Sequence, residues 1–130
     1  MAFKKSRMFT EGEIDFMKVL WEKGEATPEE VQEALKKKDR SLTYGTIRNV
    51  LVVLIEKGFV SRSKKGKVYL YKAKVNEIQA KKSMLQNLLK HAFNGSESQL
   101  VATLLRDREL HSKEMKEIRR LIEEEKEENQ

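Results

Sequence analysis

The sequence contains no cysteine, which removes disulfides, thiolate metal sites and cysteine nucleophiles, and with them the small secreted scaffolds held together by cross-links. His91 and His111 are its only histidines, too few for a zinc cluster without carboxylates, and each falls near an expected helix end where a cation is favourable anyway. No apolar run approaches the ~20 residues of a membrane span. Met1-Ala2-Phe3-Lys4-Lys5 is not followed by the apolar stretch of a signal peptide. Glycine-rich phosphate loops and Ser-His-Asp or lysine-based constellations are missing, and the paired carboxylates Glu29 and Glu30 fall where they suit a helix start. The expectation is a cytoplasmic protein that is not an enzyme and uses no metal, cofactor or membrane.

What the chain does have is charge. Of 130 residues, 37% are charged and 38% hydrophobic, a balance that suits a helical chain completing a modest core by pairing with a second copy. The net charge of +6 favours a polyanionic partner, and its distribution says more. Residues 1–75 carry 17 Lys/Arg against 10 Asp/Glu, whereas residues 76–130 carry 10 against 11. The basic field belongs to the N-terminal portion.

Thr10 with Glu13 forms a capping box, and Ile14, Met17, Val19, Leu20 and Trp21 supply an apolar stripe that ends at Gly24. Trp21 is expected to anchor the core. Thr27-Pro28-Glu29-Glu30 repeats the signal with proline at the first helical position, ahead of Val31, Ala34 and Leu35 and the basic run Lys36 to Arg40. Thr43 caps a third helix with Ile47, Val50, Leu51, Leu54 and Ile55 on its buried face and Gly58 as its stop. Two β-rich segments, 59–64 and 67–72, are joined through Lys65-Gly66 as a hairpin. Tyr69 and Tyr71 alternate with Val68 and Leu70, so the tyrosine face is expected to pack as core. Three short helices and a basic hairpin make a winged helix-turn-helix domain over 1–75.

From Asn76, the expected cap of the next helix, the pattern becomes wholly helical. Met84, Leu85, Leu88, Leu89 and Phe93 form one stripe, Leu100, Val101, Leu104 and Leu105 a second behind Ser96 and Gln99, and Met115, Ile118, Leu121 and Ile122 a third behind Ser112. Helices this short are marginal alone. Residues 76–130 therefore read as a helical dimerisation domain with an acidic end, and the fold class is mainly α with a small β wing.

In a helix-turn-helix the second helix of the motif presents its N-terminal residues to base edges in the major groove. Here these are Tyr44, Gly45, Thr46, Arg48 and Asn49. Arginine can bond guanine, asparagine adenine, and the threonine methyl can meet a thymine methyl, while glycine permits close approach. Thr43 with the helix start, and Arg62, Lys64, Lys65 and Lys67 on or beside the hairpin turn, suit phosphates. Each residue alone could be an ordinary solvated position; it is their conjunction that points to double-stranded DNA. The alternative is a winged-helix module whose basic hairpin meets an acidic protein.

Met8-Phe9-Thr10-Glu11-Gly12-Glu13, Val19-Leu20-Trp21, Ala26-Thr27, Val31, Thr46-Ile47-Arg48 and Glu56-Lys57-Gly58-Phe59-Val60 resemble the penicillinase and methicillin-resistance repressor family. Val68-Tyr69-Leu70-Tyr71, Phe93-Asn94-Gly95-Ser96 and Leu100-Val101 continue the likeness over nearly the whole chain. The resemblance implies a homodimeric repressor that binds an inverted-repeat operator, with Thr46 and Arg48 near bases. Val53 stands where relatives can carry a basic residue. A regulatory protease is a further implied partner, because members controlling β-lactamase are inactivated by cleavage at an Asn-Phe bond. The matching positions are Thr103-Leu104, a departure from that pair, and copper-sensing relatives use C-terminal cysteines that are absent here. Operator, regulated genes and inducing signal are left open.

Overall fold

The computed structural model describes residues 9–106 and 112–129. Among them run α1 (Glu11–Lys23), β1 (Glu25–Ala26), α2 (Pro28–Lys37), α3 (Tyr44–Glu56), β2 (Val60–Lys65), β3 (Val68–Ala73), α4 (Glu77–Ala92), α5 (Glu97–Arg106) and α6 (Ser112–Glu128). The chain divides into two compact units, Met1–Leu85 and Gln86–Gln130.

Reciprocal capping starts the first two helices. Thr10 Oγ1 accepts the Glu13 N–H at 3.1 Å while Glu13 Oε1 accepts the Thr10 N–H at 2.9 Å, and Thr27 with Glu30 repeats the pattern at 3.1 and 3.0 Å. Each satisfies amides that a helix start leaves without intrahelical partners. At the end of α3 the N–H of Gly58 bonds Ile55 O and that of Phe59 bonds Leu54 O, a Schellman closure. Its turn residue needs the positive φ that Gly58 adopts, +85°. The end of α2 closes in the same way, with Asp39 at φ +59° and bonds from Asp39 N to Lys36 O and Arg40 N to Leu35 O.

The core of the first unit joins Phe16, Met17, Val19 and Leu20 of α1 to Val31 and Leu35 of α2 and Ile47, Leu51 and Leu54 of α3, closed by Ala26, Val60 and Tyr71. Phe16 joins the stripe expected for α1, whereas Trp21 is only partly buried and donates its indole N–H to Val75 O at 2.9 Å. Glu13 serves twice: besides its cap, its carboxylate accepts from Lys57 Nζ at 2.7 Å, with both side chains only 9% exposed. That ion pair fastens the start of α1 to the end of α3.

The sheet is antiparallel in the order β1-β3-β2. β1 was invisible in the sequence because two residues carry no periodicity; it pairs Glu25 with Lys72 and Ala26 with Tyr71. The hairpin lies one residue later than the sequence suggests. Lys65 is the last residue of β2, opposite Val68, and the turn is Gly66-Lys67, with Gly66 at φ +62° supplying the positive φ of a tight two-residue loop.

α4 crosses the division between the units. Asn76 Oδ1 accepts the Gln79 N–H at 2.7 Å, as a cap should, and Ala80 in the first turns is buried. In the second unit Ser96 Oγ accepts the Gln99 N–H at 3.2 Å ahead of α5, and α6 is described over Ser112–Glu128. No residue of α5 or α6 is buried. Leu88, Val101, Leu104, Leu105, Leu121 and Ile122 are each at least 40% exposed. Val101, Ile118, Leu121 and Ile122 line an open groove of about 660 Å³.

Candidate nucleic-acid interface

The N-cap of α3 is Thr43, whose Oγ1 accepts the Thr46 N–H at 3.2 Å and donates to Thr46 Oγ1 at 2.9 Å. The cap serves the third residue of the helix, so the amides of Tyr44 and Gly45 stand outside the intrahelical ladder at the positive end of its dipole. Burial of Ile47, Leu51 and Leu54 fixes the rotation of α3 and turns Tyr44, Gly45, Thr46, Arg48 and Asn49 outward, all exposed. Val52 is exposed on this face as well, a position hidden in the sequence by the unbroken apolar run from Val50 to Ile55.

Two residues on this face touch each other. The Arg48 guanidinium lies 6.0 Å from the ring centroid of Tyr44, an i, i+4 pair of helix neighbours. Desolvation first, and then the neighbouring carboxylate of Glu29 in the first turn of α2, push the Tyr44 hydroxyl above its ordinary range. Gly45 has no internal steric reason to be glycine: a Cβ built on it meets nothing within 4 Å, and its φ is not positive.

On the wing, direct pairing sorts side chains by face. Val60, Arg62 and Lys64 lie opposite Ala73, Tyr71 and Tyr69, so these six share one face of the hairpin. Near the core that face is Val60 and Tyr71, the latter 2% exposed; farther out it is Arg62, Lys64 and Tyr69. Arg62 and Lys64 stand 4.5 and 5.5 Å from the Tyr69 ring centroid. The expectation of two core tyrosines is therefore half corrected: Tyr71 packs inside, while Tyr69, 38% exposed, lies beyond the reach of the core and carries the cations. Lys65 is on the opposite face, 3.7 Å from Glu25, and Lys67 is in the turn.

The basic run after α2 is spent partly inside the protein. Arg40 pairs with Asp15 and reaches Gly12 O at 3.4 Å, and Lys38 pairs with Glu22 at 3.1 Å, leaving Lys36 and Lys37 as exposed charge of that run. Thr103 donates its hydroxyl to Gln99 O at 2.8 Å within α5. His91 is in the last turn of α4 and His111 lies outside the described residues. Among the described residues no three His, Cys, Asp or Glu side chains are grouped to hold a metal ion, and no helix is long and apolar enough to cross a membrane.

Three helices, a three-stranded sheet and an exposed face on the third helix define a winged helix-turn-helix protein. The profile of the penicillinase repressor family matches residues 9–124, and the chain belongs to that family. It is 27% identical over 125 residues to the penicillinase repressor of Bacillus licheniformis, covering 95% of each chain. It is 27% identical over 118 residues to the methicillin resistance regulatory protein MecI of Staphylococcus aureus, covering 91% of this chain and 95% of that one. Among solved structures, the DNA-binding domain of the repressor BlaI matches at 31% identity and a TM-score of 0.50, covering 58% of this chain and 90% of that one. The complex structure of hsRosR-S1, at 12% identity and a TM-score of 0.53 over 94% of this chain and 96% of that one, is alike in fold. The family consists of transcriptional repressors, which are not enzymes.

Proposed function

We propose that the protein is a homodimeric, cytoplasmic repressor that shuts a promoter by binding an inverted-repeat operator. The observation that carries the reading is the outward row of α3, where Gly45, Arg48 and Asn49 are exposed and a Cβ added at Gly45 would meet nothing. In the major groove Arg48 would donate to guanine and Asn49 pair with adenine. Thr46 and Tyr44 complete the reading face, and Gly45 lets the duplex approach. Thr43 with the adjacent amides, and Arg62, Lys64, Lys65 and Lys67 on the wing, would hold phosphates.

Residues 1–75 are assigned to DNA reading and 76–130 to dimerisation. The absence of any buried residue in α5 and α6 supports the second assignment, because stripes such as Leu100, Val101, Leu104 and Leu105 with Met115, Ile118, Leu121 and Ile122 need a partner surface. Met84, Leu85, Leu88, Leu89 and Phe93 of the preceding segment are assigned to the same interface. A regulatory protease is the partner that would relieve repression. The test is selection from a random duplex library with the full-length protein, followed by footprinting and sedimentation. An inverted repeat bound by a dimer is the expected result; absence of sequence enrichment would overturn it.

A further inference from the structure

The apolar residues of α3 divide into two groups. Ile47, Leu51 and Leu54 are fully buried, and Val50 and Ile55 pack against the same core. Val52 does neither: it is 41% exposed. Isolated surface valines are common, but this one has a defined place. It stands at i+4 from Arg48, i+3 from Asn49 and i+7 from Gly45, in one outward row. The same i, i+3, i+4, i+7 spacing is how the recognition helix of a homeodomain presents its base-reading side chains. The next outward residue along the row is Glu56. Val52 is thus the last residue of the row before a negative charge.

Chemistry narrows what it can read. A valine side chain neither donates nor accepts a hydrogen bond, and its two methyl groups can only gain by meeting apolar surface. The major groove offers one such group, the C5 methyl of thymine. We propose that Val52 is a further specificity-determining residue, selecting thymine in each operator half-site through contact with that methyl. The proposal rests on the DNA-reading function above. It adds a methyl contact at Val52 to the one the sequence offers at Thr46, which lies about one and two-thirds turns earlier.

Uracil differs from thymine at the C5 methyl alone, so it isolates the contact. The probe is a duplex recovered from the random library by the wild-type protein, with each thymine replaced in turn by uracil. Removing one buried methyl contact should weaken wild-type binding about fourfold at one thymine per half-site. V52A, which removes the contact in both half-sites, should bind the original duplex about 15-fold more weakly and show no further loss at either thymine. Because Val52 is exposed and alanine is the better helix former, the variant is expected to fold, which circular dichroism checks. If no thymine is sensitive, or V52A remains as sensitive as wild type, Val52 does not read the methyl although the protein still binds its operator. If no duplex is enriched at all, the DNA reading and this proposal fall together.

Discussion

Gly45→Ala separates what α3 needs for folding from what it needs for binding. Alanine is favoured over glycine by about 1 kcal/mol in a helix interior, and by less in the first turn where Gly45 stands. The added Cβ meets no atom within 4 Å and the backbone is not left-handed, so no strain offsets the gain. Part of the gain comes from a stiffer unfolded chain. A stabilisation of about 0.5–1 kcal/mol should raise the melting temperature of the first unit by about 2–8 °C. The opposite sign is expected at the operator. If the duplex backbone or a base edge lies against the helix start, an extra methyl in a filled contact costs roughly 1–3 kcal/mol, an affinity loss of about five- to 150-fold. Thermal unfolding followed by circular dichroism, with fluorescence anisotropy on an operator duplex at fixed salt, measures both. A higher melting temperature with unchanged affinity would show that Gly45 does not face DNA. A lower melting temperature would refute the helix start itself.

Four further outcomes are expected. Binding should fall about a thousandfold or more between 50 and 200 mM salt if a dimer touches roughly 6 to 10 phosphates, measured by anisotropy across a salt series. Arg48→Ala should cost about 1–3 kcal/mol per half-site on the operator and little on random DNA, whereas Lys64→Ala should weaken both alike and lower the salt slope by about 1 per half-site. Truncation after Leu85 should leave a folded monomer whose operator affinity collapses, because the second half-site no longer binds as an intramolecular event; sedimentation shows the state and titration the loss. Glu30 holds a carboxyl below its ordinary range because the Thr27 backbone N–H, and then the Thr27 hydroxyl, bond it. Its contribution is therefore complete at neutral pH and lost as pH falls through about 4.3 and on through the lowered folded value, so Glu30→Gln should flatten the acid limb of the melting-temperature profile.

Local chemistry made the first unit legible. Capping boxes at Thr10 and Thr27, the spacing of Ile47, Leu51 and Leu54, and Gly58 each act within a few residues, so the sequence displays them directly. The outward set Tyr44, Gly45, Thr46, Arg48 and Asn49 follows from the same periodicity, since knowing which residues are buried leaves the others exposed. Contacts between elements were not legible. Arg40 looks like part of a DNA-binding basic run until the fold brings Asp15 and Gly12 to it. The two tyrosines of β3 share a face, yet a core of finite extent covers Tyr71 and leaves Tyr69 to Arg62 and Lys64. Alternation predicts the face of a strand; it does not say where along the strand the protein ends.

These longer contacts explain why the reading face can be preorganised. The approach to α3 is held by Gln32, whose side-chain amide donates to Leu42 O at 2.9 Å, and by Arg40 on Asp15. Its far end is held by the Schellman bonds at Gly58 and by Lys57 on the doubly employed carboxylate of Glu13. With both ends tied and one side buried, α3 has little rotational freedom to lose when it meets a duplex. Binding then avoids the ordering cost that a mobile helix would add, and base preference depends on which side chains project rather than on how the helix settles. The division of labour is physical: the ties lie on the inner side of α3 or beyond its ends, and the residues assigned to bases lie on the outer side. Exchange on the outer face can therefore redirect base preference while the inner ties and the packing of Ile47, Leu51 and Leu54 stay intact. Val53 marks the boundary, half-buried between the two sides.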